Sequence, residues 1–283
     1  MQKKIAKYVL FFSLVGICIF LFSMNGLENK NINYQNMQLI TEEKPNIGES
    51  HIQGDDEIIV SDETDINNEK EITNKEFIVC IDPGHQVKGN SDLEAIGPGL
   101  QTKKPKVSSG TQGVFTKKPE YVLTLEASLI LKEMLEAKGI NVIMTRDTND
   151  VDISNMQRAE LANNVDADLF IRVHADGSND SNVKGFHILI PSNTSAYSEE
   201  IFIKSEIIAN KILNIIEEDY FIRQNGITYR SDLSGFNWSR VPVVLLEMGF
   251  MTNKEDDLNL SDEEYLKEMM DKVSNGVYEY LTN

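Results

Sequence analysis

The sequence is poor in cysteine and in tryptophan. It contains two cysteines, Cys18 and Cys80, and one tryptophan, Trp238. Cys18 lies in an apolar, membrane-type segment and Cys80 in a short apolar run that indicates a buried strand, so we expect no disulfide between them. The cysteines therefore neither require nor exclude an oxidising compartment. Trp238 precedes the last predicted strand, where it could stack on a sugar or cover the core.

Positive charge is scarce as well. The 283 residues include 27 basic and 45 acidic side chains, which gives a formal net charge of −18. Outside the N-terminus, the basic residues form no cluster apart from short pairs, such as those at 103–104 and 117–118. Binding to nucleic acid requires a basic surface that faces the phosphates. We therefore expect no nucleic-acid partner.

Residues 1–26 have the pattern of an export signal. Three lysines precede an uncharged apolar run from Tyr8 to Met24. The run is long for the core of a signal peptide and slightly short for a spanning helix of about 20 residues, and no Ala-x-Ala cleavage site follows it. We favour an uncleaved signal-anchor, with a cleaved signal peptide as the alternative. In both cases the lysines keep the N-terminus inside and the remainder is exported.

Residues 27–74 are predicted to form an acidic, disordered linker. Between Asn25 and Asn74 there are twelve acidic and three basic residues, so this stretch carries −9 of the net charge of −18. It has no sustained apolar period. Low hydrophobicity combined with high charge favours a solvated tether over a packed domain.

From residue 75 to 283, apolar runs alternate with amphipathic stretches. The apolar runs end near Ile81, Val173 and Leu246 and are typical of buried strands. The amphipathic stretches predict helices, one of which begins at Pro119. Strands that alternate with helices predict a single α/β domain, with a mostly parallel central sheet flanked by helices on both faces.

Four residues that can bind a metal or transfer a proton lie at strand ends or at a helix start. His85, His174 and Glu247 follow apolar runs, and Glu120 opens a helix. The carboxyl ends of strands form the ligand crevice of open α/β sheets, so distant residues can converge there. Two His and one Glu match the ligands of a catalytic zinc site, and a second Glu matches its general base. The alternatives are structural histidines and an ion pair between Glu247 and Arg172.

Six motifs in and around these positions follow the order found in one protein family. They are Asp82-Pro83-Gly84-His85, Glu120 at the start of a Leu-rich helix, Thr145-Arg146-Asp147, Arg158 with Ala162-Asn163, Val173-His174-Ala175-Asp176, and the segment Pro242 to Asn253. The chain thereby resembles the zinc-dependent N-acetylmuramoyl-L-alanine amidases of the amidase-3 type. The resemblance extends from about Phe77 to Leu281.

The resemblance implies an activity and a role for each site residue. His85, Glu120 and His174 would bind one Zn²⁺ per chain, and Glu247 would be the catalytic general base. Three protein ligands leave a coordination position for water, as in catalytic zinc sites. The implied reaction is attack of zinc-activated water on the amide between the lactyl group of N-acetylmuramic acid and L-alanine of the peptidoglycan stem peptide.

The resemblance also implies peptidoglycan as the partner. The expected location is the outer face of the bacterial cytoplasmic membrane, held there by the N-terminal segment, or the cell wall. Three departures concern the surroundings of the site: Gln86-Val87 in place of Gly-Gly, Thr124 in place of Asn, and Asp176 in place of Asn. None removes a ligand or the base. The alternative functions are a catalytically silent wall-binding or regulatory protein on the same fold, and a zinc exopeptidase.

Overall fold

The computed structural model describes residues 76–193 and 199–283. All of them belong to one compact unit. The predicted signal-anchor (1–26) and linker (27–74) lie outside the described residues. Within the described ranges, no helix has the length and apolar character needed to cross a membrane.

The described residues form eight strands and six helices. The strands are β1 (Ile78–Pro83), β2 (Asn90–Ala95), β3 (Lys103–Val107), β4 (Asn141–Met144), β5 (Leu169–Asp176), β6 (Phe186–Pro191), β7 (Ile222–Arg230) and β8 (Val243–Phe250). The helices are α1 (Glu120–Ala137), α2 (Asn155–Asn164), α3 (Glu199–Ile216), α4 (Ser234–Asn237), α5 (Lys254–Leu260) and α6 (Glu263–Thr282).

Six strands form one sheet in the order β4-β1-β5-β8-β6-β7. The first four strands of this order are parallel to one another, which confirms the mostly parallel sheet. Strands β6 and β7 are parallel to each other, but β6 is antiparallel to β8. The connection from β5 to β6 covers only residues 177–185 and contains no helix. A parallel crossover needs about a dozen or more residues, so a connection of this length favours the reversal.

Helices cover both faces of the sheet, as predicted. One face packs against α1, α3 and α6, whose Leu131, Ile212 and Val273 are fully buried. The other face packs against α2 and α4 through residues that include Ala159 and Phe236. Side chains alternate between the two faces along each strand, so one face of β8 can contribute to the core while the other carries a functional group.

The segment from Gln86 to Lys118, between β1 and α1, contains a two-stranded hairpin of β2 and β3. The indole Nε1 of Trp238 donates a hydrogen bond of 2.9 Å to the carbonyl of Ala95 at the end of β2. Trp238 also packs against the core. The single tryptophan therefore fastens the hairpin to the domain and covers the core.

Asp82, near the end of β1, is fully buried. Its Oδ1 accepts a hydrogen bond from Nη1 of Arg158 at 2.7 Å, and its Oδ2 accepts one from Nε of Arg172 at 2.8 Å. Burial opposes ionisation of the carboxyl, but the charges of Arg158 and Arg172 outweigh this effect and hold the pKa of Asp82 well below its usual range. The structure thus pairs the carboxylate of Asp82 with two arginines.

We expect Asp82→Ala to lower the free energy of unfolding by about 3–5 kcal/mol, because it leaves two buried guanidinium groups without their counter-charge. The stabilising charge of Asp82 is present above its unfolded pKa of about 4 and is lost as the pH falls through the lower folded pKa. Denaturant unfolding at neutral pH measures the effect. Asp92→Ala is the control, because the side chain of Asp92 is 75% exposed and such changes stay within about 0.5 kcal/mol. Equal losses in the two variants would contradict the prediction.

Candidate metal centre

His85 lies in the turn that follows β1, with a φ of 61° in the left-handed region. Its Nδ1 is 2.9 Å from the carbonyl oxygen of Ser108. A carbonyl only accepts hydrogen bonds, so Nδ1 carries the proton and Nε2 presents its lone pair. A backbone carbonyl on the far ring nitrogen is the usual support of a metal-binding histidine.

Glu120 is the first residue of α1 and is only 3% exposed. Its Oε2 accepts a hydrogen bond of 2.8 Å from the amide of Thr111. Its Oε1 lies 3.0 Å from Nε2 of His85 and 3.1 Å from Nδ1 of His174. Burial opposes ionisation, but the neighbouring imidazoles of His174 and His85 outweigh it, and the pKa of Glu120 falls well below its usual range. Glu120 is therefore an anion at neutral pH.

His174, on β5, completes the group. Its Nδ1 lies 3.1 Å from Nε2 of His85. Burial is the largest of the effects that lower the pKa of His174 to about 4. The imidazole is therefore neutral at physiological pH, the form that binds a metal. Its Nε2 is buried and has no hydrogen-bond partner in the described part of the chain.

The donor atoms of His85, Glu120 and His174 fit a divalent metal. Their mutual distances of 3.0–3.1 Å bring three electron-rich atoms into contact. The ligand atoms of a tetrahedral zinc ion lie about 3.4 Å apart, since each is about 2.0–2.2 Å from the metal. The three atoms have more lone pairs facing one another than there are protons to form hydrogen bonds between them. A cation placed between them would bind these lone pairs. Among the residues described, these three form the group of His, Cys, Asp or Glu that could hold a metal ion.

Glu247 occupies β8 in register with His174 on β5 and with His187 on β6. It is only 9% exposed, and its Oε2 has no hydrogen-bond partner within residues 76–193 and 199–283. Burial raises the pKa of Glu247 well above its usual value, and the charges of Asp176 and Glu120 raise it further. The expected alternative, an ion pair with Arg172, is not formed, because Arg172 binds Asp82 instead.

Two arginines hold the backbone of the turn from Pro83 to His85. Arg146 donates from Nε to the carbonyl of Pro83 and from Nη2 to that of Gly84, both at 2.9 Å. Arg158 donates from Nη2 to the carbonyl of His85 at 3.0 Å. These bonds fix the backbone that carries the first histidine. They explain the two arginine motifs without assigning either arginine to the chemistry.

The three departures from the family pattern all lie around this site. Gln86 is buried, and its Oε1 accepts from Nη2 of Arg158 at 3.1 Å. The hydroxyl of Thr124 donates to the carbonyl of Gly84 at 2.8 Å. Asp176 lies 3.5 Å from Nε2 of His187. The first two replacements contact the turn after β1, and the third joins the end of β5 to β6. All three leave the four predicted site residues in place.

Gly84 lies against the ring of His174. A Cβ added at this position would overlap the imidazole, so only glycine leaves room for the ring. We expect Gly84→Ala to displace His174 and to weaken zinc binding by about 10–100-fold, as changes to ligand-orienting residues do. Titration with zinc in competition with a chelator measures this.

The control for Gly84→Ala is Gly99→Ala, where an added methyl group meets open space. Its φ of 73° costs some stability in an alanine variant, but zinc affinity should be unchanged. Unchanged zinc affinity in Gly84→Ala would show that the ring of His174 does not contribute to the site.

All four predicted site residues line one open groove with a volume of about 580 Å³. The groove also exposes Asp176 of the family motif and side chains that the sequence did not indicate as part of a site, among them Ser108, Thr111 and Arg230. Ser108 and Thr111 belong to the long segment between β1 and α1. No spacing or motif in that segment signalled them, because their role depends on backbone groups.

An α/β sheet that places a His–Glu–His group beside a buried carboxylate is typical of metal-dependent hydrolases. The profile of the N-acetylmuramoyl-L-alanine amidase family matches residues 79–279, which is more than half of the chain. The chain therefore belongs to the N-acetylmuramoyl-L-alanine amidase family, of the amidase-3 type, as the sequence motifs indicated.

Individual relatives agree with this assignment. The chain is 27% identical over 209 residues to the N-acetylmuramoyl-L-alanine amidase Rv3717 of Mycobacterium tuberculosis, covering 72% of this chain and 86% of the relative. It is 25% identical to the probable cell wall amidase LytH of Staphylococcus epidermidis, covering 72% of this chain and 58% of the relative. The crystal structure of the amidase Ami1 from Mycobacterium smegmatis superposes with a TM-score of 0.65 at 26% identity, covering 72% of this chain and 96% of Ami1.

Proposed function

We propose that this chain is a zinc-dependent amidase that hydrolyses the bond between the lactyl group of N-acetylmuramic acid and L-alanine in peptidoglycan. One observation carries the proposal. The donor atoms of His85, Glu120 and His174 converge within 3.0–3.1 Å of one another, in the same groove as the carboxylate of Glu247, whose Oε2 has no hydrogen-bond partner among the described residues. Family membership supplies the substrate class.

His85, Glu120 and His174 would hold the zinc ion. When bound, the ion supplies Lewis acidity, which lowers the pKa of water to about 7 and polarises an amide carbonyl. The carboxylate of Glu120 contributes one negative charge and the neutral imidazoles contribute none. The ligand set therefore leaves a divalent ion with a net positive charge, which suits it for stabilising negative charge on a carbonyl oxygen.

Glu247 would act as the proton carrier. As general base it accepts a proton from the attacking water at a carboxylate oxygen, and as general acid it gives that proton to the departing nitrogen of L-alanine. Burial and the neighbouring acids raise its proton affinity. A raised pKa suits a base that works near neutral pH. No other groove-lining glutamate is free for this role, since Glu120 is engaged by both histidines.

The proposal includes the organisation of the chain. We assign residues 75–283 to the catalytic domain, 27–74 to a linker and 1–26 to a signal-anchor or signal peptide. The support for export is the apolar run behind three lysines together with membership of a family whose relatives include a probable cell wall amidase. The expected site of action is the cell wall.

Digestion of purified peptidoglycan by the full chain tests the proposal. We expect new free lactyl carboxyl groups on muramic acid and intact stem peptides with L-alanine at the N-terminus. A chelator should stop the reaction, and added zinc should restore it. Release of shortened peptides without new lactyl carboxyl groups would instead identify an exopeptidase. Wall binding with neither product and no bound zinc would identify a catalytically silent wall-binding protein.

A further inference from the structure

Among the described residues, two arginines line the groove, and they differ in the hydrogen-bond donors that remain available to a ligand. Arg172 is 4% exposed, and its Nε and Nη2 donate to Asp82 and Asn155 at 2.8 and 2.7 Å. The side chain of Arg230, the last residue of β7, is 38% exposed. Arg230 is therefore the arginine of the groove that a ligand can reach.

Asp232 fixes Arg230 along one edge. Nε of Arg230 donates to Oδ1 of Asp232 at 2.8 Å, and Nη2 donates to Oδ2 at 3.0 Å. Asp232 is held in turn by Lys104 of β3, whose Nζ lies 2.8 Å from Oδ2. Nη1 of Arg230 makes no hydrogen bond to any residue in the described ranges. The guanidinium is thus pre-oriented with donors to spare, and its planar fork suits a carboxylate.

The other charges in the groove indicate which kind of ligand Arg230 can bind. Three acidic side chains of the described residues line it: Glu120, whose charge the proposed zinc ion would neutralise, and Asp176 and Glu247, which hold no proposed metal. An anionic ligand that enters such a groove is repelled unless a cation faces it, because charges near low-dielectric walls are poorly screened. Lys104, Asp232 and Arg230 together carry a net charge of +1 (two cations and one anion). Arg230 therefore marks the place where a negatively charged part of the substrate can lie.

The distance from the metal centre fits a short peptide. Pro191 lies opposite Arg230 and four positions along β6 from His187, which lies opposite Glu247. With about 3.3 Å per residue and about 4.8 Å between strands, the Cα atoms of Glu247 and Arg230 are roughly 16 Å apart. Both side chains line the same groove and the charge of each acts on the other, so the guanidinium and the carboxyl lie nearer together than the Cα atoms. An extended peptide spans about 3.3–3.6 Å per residue. The second or third residue of a peptide can therefore reach the guanidinium.

The groove between these points has an apolar lining. Leu189, Leu233 and Leu245 line it together with Arg230 and Glu247. Leu245 and Glu247 are two residues apart on β8 and so lie on the same face of the sheet. An apolar surface that ends at a cation matches a ligand with small apolar groups followed by a carboxylate. It does not match a sugar, whose hydroxyl groups would face leucines.

We propose that Arg230 binds a carboxylate of the stem peptide, on the leaving-group side of the scissile amide. The inference rests on the proposed function and adds a residue that selects among peptidoglycan substrates. Stem peptides in which that carboxyl is amidated should then be poorer substrates, because a carboxamide carries no charge and offers one oxygen in place of two.

The test compares three synthetic muramoyl tripeptides: one with free carboxyl groups on residues two and three, one amidated at residue two and one amidated at residue three. The zinc-loaded full chain should cleave the free form with a kcat/KM about 10–100-fold higher than one of the amidated forms, the range expected for a charge-assisted hydrogen bond. In Arg230→Gln that ratio should fall to about one. Arg230→Lys should keep part of it, and Arg240→Gln, which changes an exposed arginine before β8, should keep all of it.

A second measurement does not depend on turnover. Calorimetric binding of the released tripeptide should weaken in Arg230→Gln by a similar factor, and its Tm should stay close to that of the unaltered chain because Arg230 and Asp232 are partly exposed. Equal cleavage of all three substrates by the unaltered chain would overturn the role of Arg230 while leaving the amidase proposal intact. So would an equal loss on all three substrates in Arg230→Gln. Failure to cleave any substrate, or peptidoglycan itself, would overturn the proposed function.

Discussion

Glu247→Gln should retain one zinc ion per chain and lose about 10³-fold in kcat, within the range of about 10²–10⁴ that positioned general bases contribute. Gln has almost the same shape as Glu but cannot accept the proton of the attacking water. None of the three proposed ligand atoms belongs to Glu247, so metal content should not change. Elemental analysis and the rate of lactyl carboxyl release from peptidoglycan measure the two quantities on one preparation.

The control for this variant is Glu126→Gln, which alters an exposed carboxylate of α1 that pairs with Lys118. It should keep full activity and full zinc content. If Glu247→Gln kept the rate of the unaltered chain, Glu247 would not be the base. If it lost zinc together with activity, Glu247 would belong to the ligand set.

The same substitution should stabilise the metal-free protein at neutral pH. The folded pKa of Glu247 is raised, so between the unfolded value of about 4.3 and the folded value the native state binds more protons than the unfolded state. Stability therefore falls as the pH rises through this window. Gln removes the penalty, and we expect a gain of about 0.5–2 kcal/mol at neutral pH that disappears below about pH 4. Denaturant unfolding at both pH values, with chelator present, measures it.

His174→Ala should abolish both zinc binding and turnover. It removes one of three donor atoms and leaves Glu120 with a single histidine partner, so we expect zinc affinity to fall by more than about 10²-fold, beyond the 10–100-fold effect of supporting residues. The rate should fall by at least about 10³-fold, since Glu247 alone cannot polarise the amide. Zinc content after dialysis and the rate on peptidoglycan are the measurements.

His51→Ala is the matched control for this loss, because it removes a histidine of the predicted linker. It should keep its zinc and its rate. Zinc content of one per chain in His174→Ala would remove His174 from the ligand set. A parallel loss in His51→Ala would point to a metal site that includes residues outside the described ranges.

The fold was largely predictable because most helices and strands have a local sequence signal. Pro119 marks the start of α1, which the structure places one residue later, and the apolar run before Glu247 marks β8. The reversal of β6 and β7 was not predicted, since apolar strand patterns look the same in both directions. Helix α5 was also missed, because its seven residues are too few to show a helical period.

For the candidate site, the sequence predicted which residues lie together but not their geometry. The strand ends indicated which four side chains could meet. They could not indicate that Nε2 of His85 and Nδ1 of His174 face Glu120, since that depends on the carbonyl of Ser108 and on the room left by Gly84. Arg230 was missed for a related reason, because its availability depends on where Asp232 and Lys104 lie in space.

The hydrogen bond between Nδ1 of His85 and the carbonyl of Ser108 couples two parts of the molecule. Ser108 directly follows the β2–β3 hairpin, whereas His85 belongs to the turn after β1. A ligand that shifted the hairpin would therefore release the imidazole to rotate and would lower the affinity of the proposed metal centre without contacting any of the three proposed ligand atoms. Coupling free energies are reciprocal, so an ion seated in the centre would tighten the hairpin by the same amount.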